Sequence, residues 1–542
     1  MGRRAASVVL TRILEADLLT DRMSRRALLR AGGAGAAVLT LGSAVPAATA
    51  LATSKGLGGY PFAVGIASGE PARDGVVLWT RLALDALGQQ PLPTRPVPVR
   101  WEIAHDEALH RRVAGGWALA RPDDGHSVHV EVDGLQPDRE YWYRFYAGGE
   151  ASAVGRTRTA PAFGRSPAQL RFCFVSCSQF EHGYFTAYAR IVEDDPAFLV
   201  HVGDYIYEYG TDVYKAPGGN VRHHVGGEIN TLADYRQRYG QYHTDADLLE
   251  ARRLIPFITT PDDHEVENNY AGLISEIDTE PDQDRAVFAQ RRAAAYQAYW
   301  EYMPMRRAQR ARNGSIQLFR ELPFGDLADV VVADTRQFRT DQPCDDKFNS
   351  VCAGMDDPAQ TLPGLPQERW LVDRFARSRS RWTILAQQVQ MAQEDFKEGP
   401  EQGYNTDAWD GYKQSRNRVL GGLQRAGVRN AVVLTGDVHQ HYAADLKADY
   451  ADPNSPIVAS ELVATSITSG GDGNDTVQDA ALRENPWIKF NANRRGYVRC
   501  TITKKQYLAE FRTLPYVSTP GAPAQTKAAF VLQDGQPGLQ PA

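Results

Sequence analysis

The sequence predicts a layered α/β domain preceded by a small all-β sandwich. Residues 60–160 read as short strands separated by turn residues. From about residue 168, apolar strand-like runs instead alternate with longer segments of helical composition. Several of those runs end in carboxylate, imidazole, thiol or amide side chains, where open α/β sheets collect ligands.

In chain order, the first fifty residues read as an export leader. Ser24-Arg25-Arg26-Ala27-Leu28-Leu29-Arg30 precedes a mildly apolar Gly/Ala-rich run from Ala31 to Val45, and Ala48-Thr49-Ala50 offers small residues for cleavage. The run is short for a bilayer span, and paired arginines with weak hydrophobicity match a twin-arginine signal. The twin-arginine machinery is therefore an expected partner, with secretion of a protein that keeps no transmembrane anchor. A start at Met23 would give the basic region an ordinary length. Removal of residues 1–50 takes away seven basic and three acidic residues, leaving a chain more acidic than the full-length formal charge of −6. That balance excludes a broad basic surface, so no stable nucleic-acid complex is expected. Apolar content of 43% and charged content of 23% are those of a globular protein, and 542 residues call for two domains.

The sandwich is expected over residues 56–160. Asp74-Gly75 marks a turn before the strand Val76–Arg81, Val99–Ile103 gives another, and His126–Val132 alternates at period two. Gly134-Leu135-Gln136-Pro137 then turns the chain into Tyr141–Tyr146. The stretch Val128–Tyr146 resembles the late strands of a fibronectin type III-like domain. Gly155–Pro161 reads as a linker.

Over residues 165–515, strands are expected at Leu170–Val175, Phe198–Val202, Asp329–Ala333, Trp382–Ala386 and Ala431–Leu434, with a packing helix around Asp284–Tyr302. Residues 516–542, rich in Pro, Gly and Gln, read as a tail that wraps the domain or stays mobile. Of the five cysteines, Cys344 and Cys352 flank a polar stretch suited to a local disulfide, Cys173 sits in an apolar strand, and Cys177 stands at that strand's end.

The chemistry concentrates at those ends. Asp204 follows a strand and Gly203, where an aspartate can bridge two cations; Tyr207 can return to the same cation as a phenolate. Asp262-Asp263-His264-Glu265, closely followed by Asn268-Asn269, crowds carboxylates that repel one another unless a cation or water screens them. Gly436-Asp437-Val438-His439 repeats the arrangement at another strand end. Each stretch alone also fits a turn, a buried tyrosine or a solvated loop. Together, thiolate, phenolate, imidazole and carboxylate suit a hard transition-metal ion, and the surplus oxygens suit calcium.

With Ser176-Cys177-Ser178-Gln179, Gly203–Gly210, Asp262–Asn269, Asp334–Arg339 and Gly436–His439 read jointly, the chain resembles the PhoD-type alkaline phosphatases, a branch of the calcineurin-like metallophosphoesterases. Asp263 and Asp437 stand where the ordinary superfamily core has amide and imidazole ligands, as in that branch. The resemblance implies a metallophosphoesterase-like β-sheet core, a ferric ion and calcium ions. It places Cys177, Asp204, Tyr207, Asp437 and His439 on iron, and Asp263, Asn269 and Gln388 on the calcium side. His264 would face the phosphate, and Arg336 or Arg339 would steady a phosphate oxygen. The expected reaction is hydrolysis of phosphate diesters and monoesters by in-line attack of a metal-activated hydroxide, without a phospho-enzyme. A phospholipase D-like phosphodiesterase acting on phospholipids is the alternative within that class. A secreted binding protein with a purely structural metal is the alternative outside it.

Overall fold

Strands buried on both sides need two sets of neighbours, and side-chain alternation at period two supplies them. Leu170–Val175 demonstrates this in the computed structural model, which describes residues 56–278 and 281–542. Cys173 and Val175 enter one core cluster, while Phe172 and Phe174 enter another on the opposite face. The twin-arginine expectation falls on residues 1–50, outside the described residues.

Two large mixed sheets face each other through the second cluster, in which Phe172 stacks on Phe198 at 4.9 Å and Phe198 on Phe324 at 4.3 Å between ring centroids. One sheet has ten strands. Its parallel centre runs Leu170–Val175, Leu199–His201, Pro256–Thr259 and Ile66–Ala72. The other has seven strands, with Ala328–Val332, Trp382–Ala386, Ala431–Thr435 and Ile457–Val463 parallel to one another. Helices Thr186–Asp194, Leu232–Tyr242, Ala246–Leu254 and Arg285–Tyr302 cover the outer face of the first sheet. Leu365–Arg377 and Lys413–Arg425 cover the second. The caps are local chemistry: Asp284 Oδ1 accepts from the backbone N–H groups of Ala286 and Val287, and Thr231 and Asp234 form a capping box.

The expected N-terminal sandwich is present, but one of its leaves is shared. Ile66–Ala72, Gly75–Arg81 and Ser127–Asp133 extend the ten-stranded sheet, and Val97–Ala104, Arg112–Ala120, Glu140–Ala147 and their short neighbours form the second leaf. The junction depends on Gly69, where a Cβ would lie 2.6 Å from Phe257 O and 2.5 Å from Pro304 O. Residues 516–542 add strands Gln525–Gln533 and Gln540–Pro541 to the opposite edge. All of this belongs to one compact unit. Among the described residues, no helix is long and apolar enough to cross a membrane.

Candidate metal centre and active site

The parallel strands deliver their carboxyl ends to one place, and the chain leaves them through tight turns. Cys177, Asp204, Asn269, Asp437 and His439 have φ of 61°, 56°, 50°, 63° and 62°. Non-glycine residues in the left-handed region cost roughly 1–3 kcal/mol each and gather where a site requires them. Gly203, at φ +115°, permits the closest approach: a Cβ there would sit 2.3 Å from Asp262 Cβ and 2.6 Å from Asp262 N. The Asp204 and Asp262 turns are thereby pressed together. Glu265 ties them, its carboxylate accepting from the backbone N–H groups of Asp204 (3.1 Å), Tyr205 (2.6 Å) and Asp262 (2.7 Å).

Three ligand groups result, each with donor atoms within 4.8 Å of one another. Cys177, Asp204 and His439 make the first; Asp204, Asp263 and His264 the second; Asp262, Asp263 and Asp437 the third. Asp204 and Asp263 each belong to two groups, so the three are continuous. Tyr207 joins the first: its hydroxyl donates to Asp204 Oδ2 at 3.1 Å and lies 3.0 Å from His439 Nε2. Ser469 Oγ stands 2.7 Å from the Tyr207 oxygen and 2.9 Å from Cys177 O.

The electrostatics call for a cation. Burial and nearby carboxylates push Asp437 well above the usual carboxylate range; burial, with Asp263 and Asp262, does the same to Asp204 despite His264. Burial, then Asp204, raises Cys177 and Tyr207. Two carboxylates about 4 Å apart repel by roughly 4 kcal/mol at an effective dielectric of 20. Arg336 offsets part of this. Its Nε donates to Asp262 Oδ1 at 2.6 Å and one terminal nitrogen to Asp407 Oδ1 at 2.8 Å. The other approaches Asp263 Oδ1 at 3.5 Å and Asp437 Oδ1 at 3.8 Å. One guanidinium does not neutralise four aspartates. Asp204 Oδ1, Asp262 Oδ2 and Asp263 Oδ1 are buried without a hydrogen-bond partner, which suits the hard-cation chemistry of the donor set.

His264 donates from Nδ1 to Glu208 Oε2 at 2.8 Å and lies against the Tyr207 ring, with centroids 4.1 Å apart. Burial works against its proton, yet Glu208, Asp263 and Asp204 together hold its pKa well above that of free histidine. Asn269 N donates to Asp263 Oδ2 at 2.8 Å, and its side-chain amide reaches Asp346.

Three expected site residues take other places. Gln388 Oε1 accepts from Thr335 N (3.0 Å) and Thr335 Oγ1 (2.6 Å), while its amide donates to Thr260 Oγ1 and Ala333 O. With both carbonyl lone pairs in use, it braces strand ends instead of offering an oxygen to calcium. Arg336 is 1% exposed, with Nε and one terminal nitrogen on Asp262 and Asp407 beneath the centre, and its other terminal nitrogen buried without a hydrogen-bond partner. Arg339, 4% exposed, is held by Asp407 Oδ1 and Thr335 O. Glu208, Glu265, Asp407 and Ser469 were not singled out from sequence. The first two lie inside the recognised motifs; nothing local marks the other two.

The pattern described as PhoD-like phosphatase matches residues 172–511, and that described as the PhoD-like phosphatase N-terminal domain matches residues 47–161. Alkaline phosphatase D of Bacillus subtilis (strain 168) is 46% identical over 483 residues, covering 89% of this chain and 82% of the relative. A solved structure of PhoD superposes with a TM-score of 0.87 at 46% identity, covering 90% of this chain and 92% of that one. A purple acid phosphatase from yellow lupin (Lupinus luteus) seeds shares the fold, with a TM-score of 0.51 at 13% identity over 86% of this chain and 74% of that one. The chain belongs to the PhoD-like phosphatase family.

Proposed function

We propose that this chain is an exported alkaline phosphatase that hydrolyses phosphate diesters and monoesters at a ferric–calcium centre. The observation that carries the reading is the continuity of the three ligand groups through Asp204 and Asp263. Cys177, Asp204, Tyr207 and His439 would hold iron, the soft thiolate and the phenolate distinguishing that end, while Asp437, expected on iron, groups with Asp262 and Asp263 at the all-oxygen end. Asp263 and Asn269 would serve calcium. Cations bound there supply Lewis-acid neutralisation of the phosphate's negative oxygens and acidify a water.

The protein's own groups do the rest. With His264 Nδ1 held by Glu208 and no hydrogen bond made at Nε2 among the described residues, Nε2 can donate to the departing ester oxygen. Glu265 keeps the Asp204 and Asp262 turns together, and Arg336 limits the repulsion among Asp262, Asp263 and Asp437. Export is supported by the paired arginines of the leader and by the Cys344–Cys352 disulfide, a bond that persists in oxidising compartments.

Elemental analysis and a visible spectrum of the purified protein test the metal assignment. The expected result is iron and calcium, with an absorption band that disappears in Tyr207→Phe. A colourless protein containing zinc alone would exclude the ferric assignment.

A further inference from the structure

The loop from Gln342 to Cys352 borders the centre, and the phosphatase reading gives it no task. Cys344 and Cys352 close it covalently. Within it Cys344, Asp345 and Asp346 have φ of 62°, 56° and 52°, three non-glycine residues in succession in the left-handed region. Such a run persists only where its surroundings enforce it. A crosslink eight residues apart in sequence is one such constraint.

The loop grips the centre on two sides. Asn269 Nδ2 donates to Asp346 Oδ2 at 2.8 Å, and Gln342 Nε2 donates to Asn269 O at 2.5 Å. On the other side Gln342 Nε2 reaches Asp407 Oδ1 at 2.8 Å, Thr406 Oγ1 donates to Lys347 O at 3.2 Å, and Ser350 and Tyr404 exchange two backbone bonds of 3.2 Å. Asp407 in turn anchors Arg336 and Arg339. The contact with Asp346 is decisive for Asn269. Asp346 Oδ2 is the acceptor in that contact, so it takes the amide nitrogen and turns the amide oxygen away from itself. An amide free to flip would present nitrogen and oxygen alike, and only oxygen binds a hard cation.

We propose that Asp346 is a positioning residue that fixes the Asn269 amide with its oxygen toward the centre, and that the Cys344–Cys352 bond holds Asp346 there. Oxidation of this pair would then set cation affinity on the Asn269 side. Reduction by a dithiol balances simply: the Cys344–Cys352 S–S bond breaks, the reagent closes its own S–S bond, and its two protons pass to the cysteine sulfurs. The proposal rests on Asn269 being a calcium ligand.

The test uses the full chain as parent, D346A, D346N and C344S/C352S. Two quantities are read: calcium affinity by titration, and hydrogen exchange over residues 266–272 in the metal-free protein. D346A and C344S/C352S are expected to bind calcium about 10- to 100-fold more weakly, the range for lost partners of metal ligands, and to exchange faster over 266–272. D346N, which keeps an acceptor oxygen, should lose less than D346A. Dithiol treatment should bring the parent to the level of C344S/C352S and leave that variant unchanged, which separates loop opening from reduction of iron. If the double variant does not fold, D346A and the dithiol-treated parent decide the matter. Parental affinity and parental exchange in both would overturn the proposal. A parent that binds no calcium would refute the calcium assignment itself, and exchange in the metal-free protein would still decide whether the clamp exists.

Discussion

Asp204 is a member of two ligand groups, accepts from the Tyr207 hydroxyl and keeps one carboxylate oxygen buried without a partner. No substitution can keep both of its roles. Asp204→Asn preserves shape and removes the charge that two cations would share. It is expected to lower kcat/KM by more than about 100-fold, above the usual 10- to 100-fold for partners of metal ligands, and to lower bound metal in parallel. Steady-state kinetics with elemental analysis of the same samples checks both. Arg336 makes a different prediction. Arg336→Met leaves Asp262 and Asp263 without this counter-charge in a buried site, while Asp407 keeps Arg339, so unfolding stability should fall by about 3–5 kcal/mol. Urea denaturation of the metal-free protein measures this. A change within error would show that Arg336 is not what holds the acidic cluster together.

The strand-to-turn transitions explain what could be read from sequence and what could not. Leu170–Val175, Trp382–Ala386 and Ala431–Thr435 appear at their expected positions because uninterrupted apolar runs ending in small or polar residues leave few alternatives. Cys177, Asp204, Tyr207, Asp263, Asp437 and His439 stand out in the sequence because each follows closely on such a run, and the structure brings their side chains together. Arg336 was legible as a motif residue but its contacts were not, since Asp262 and Asp407 lie 74 and 71 positions away. Gln388 was misread because the partner that uses up its carbonyl, Thr335, is 53 positions distant. The strand Ile66–Ala72, with its Ser, Gly and Pro, carries no strand period, and its parallel pairing with Pro256–Thr259 is what adds the N-terminal strands to the ten-stranded sheet. Two glycine substitutions test the transitions. Gly134, at φ +78°, has nothing within 4 Å of an added Cβ, so Gly134→Ala should cost only backbone strain, about 1–3 kcal/mol. Gly203→Ala adds a collision with Asp262 and should also lose metal, a difference that elemental analysis reads directly.

Three buried histidines outside the ligand set link the layers of the protein to pH. Burial pushes His129 and His201 down to about 3 and His441 to about 4. His129 stacks on Trp300 at 3.9 Å and bonds to Met305 O at 2.9 Å, joining the N-terminal sheet to the end of helix Arg285–Tyr302. In the unfolded chain these groups titrate near 6.5. Their folded pKa values lie lower, so between about 6.5 and 4 the unfolded state binds protons that the native state refuses. Their stabilising contribution is therefore complete above pH 6.5 and declines as pH falls toward 4. The histidines' share of the melting temperature of the metal-free protein should be flat above neutrality and fall below it, opposite in sign to the share of Asp204 and Asp437, whose raised pKa values cost stability as pH rises. His129→Gln, which can still donate to Met305 O, should make that decline shallower. An unchanged slope would mean that His129 is not excluded from protonation.

The claim that a polynuclear cation centre performs the hydrolysis is tested most directly by following turnover of a phosphate diester while metal is withdrawn and restored. Activity and metal content are measured on the same samples of the purified full chain. Activity should disappear in proportion to iron and calcium removed, and return when both are supplied. Undiminished turnover by protein stripped of both metals would contradict the account.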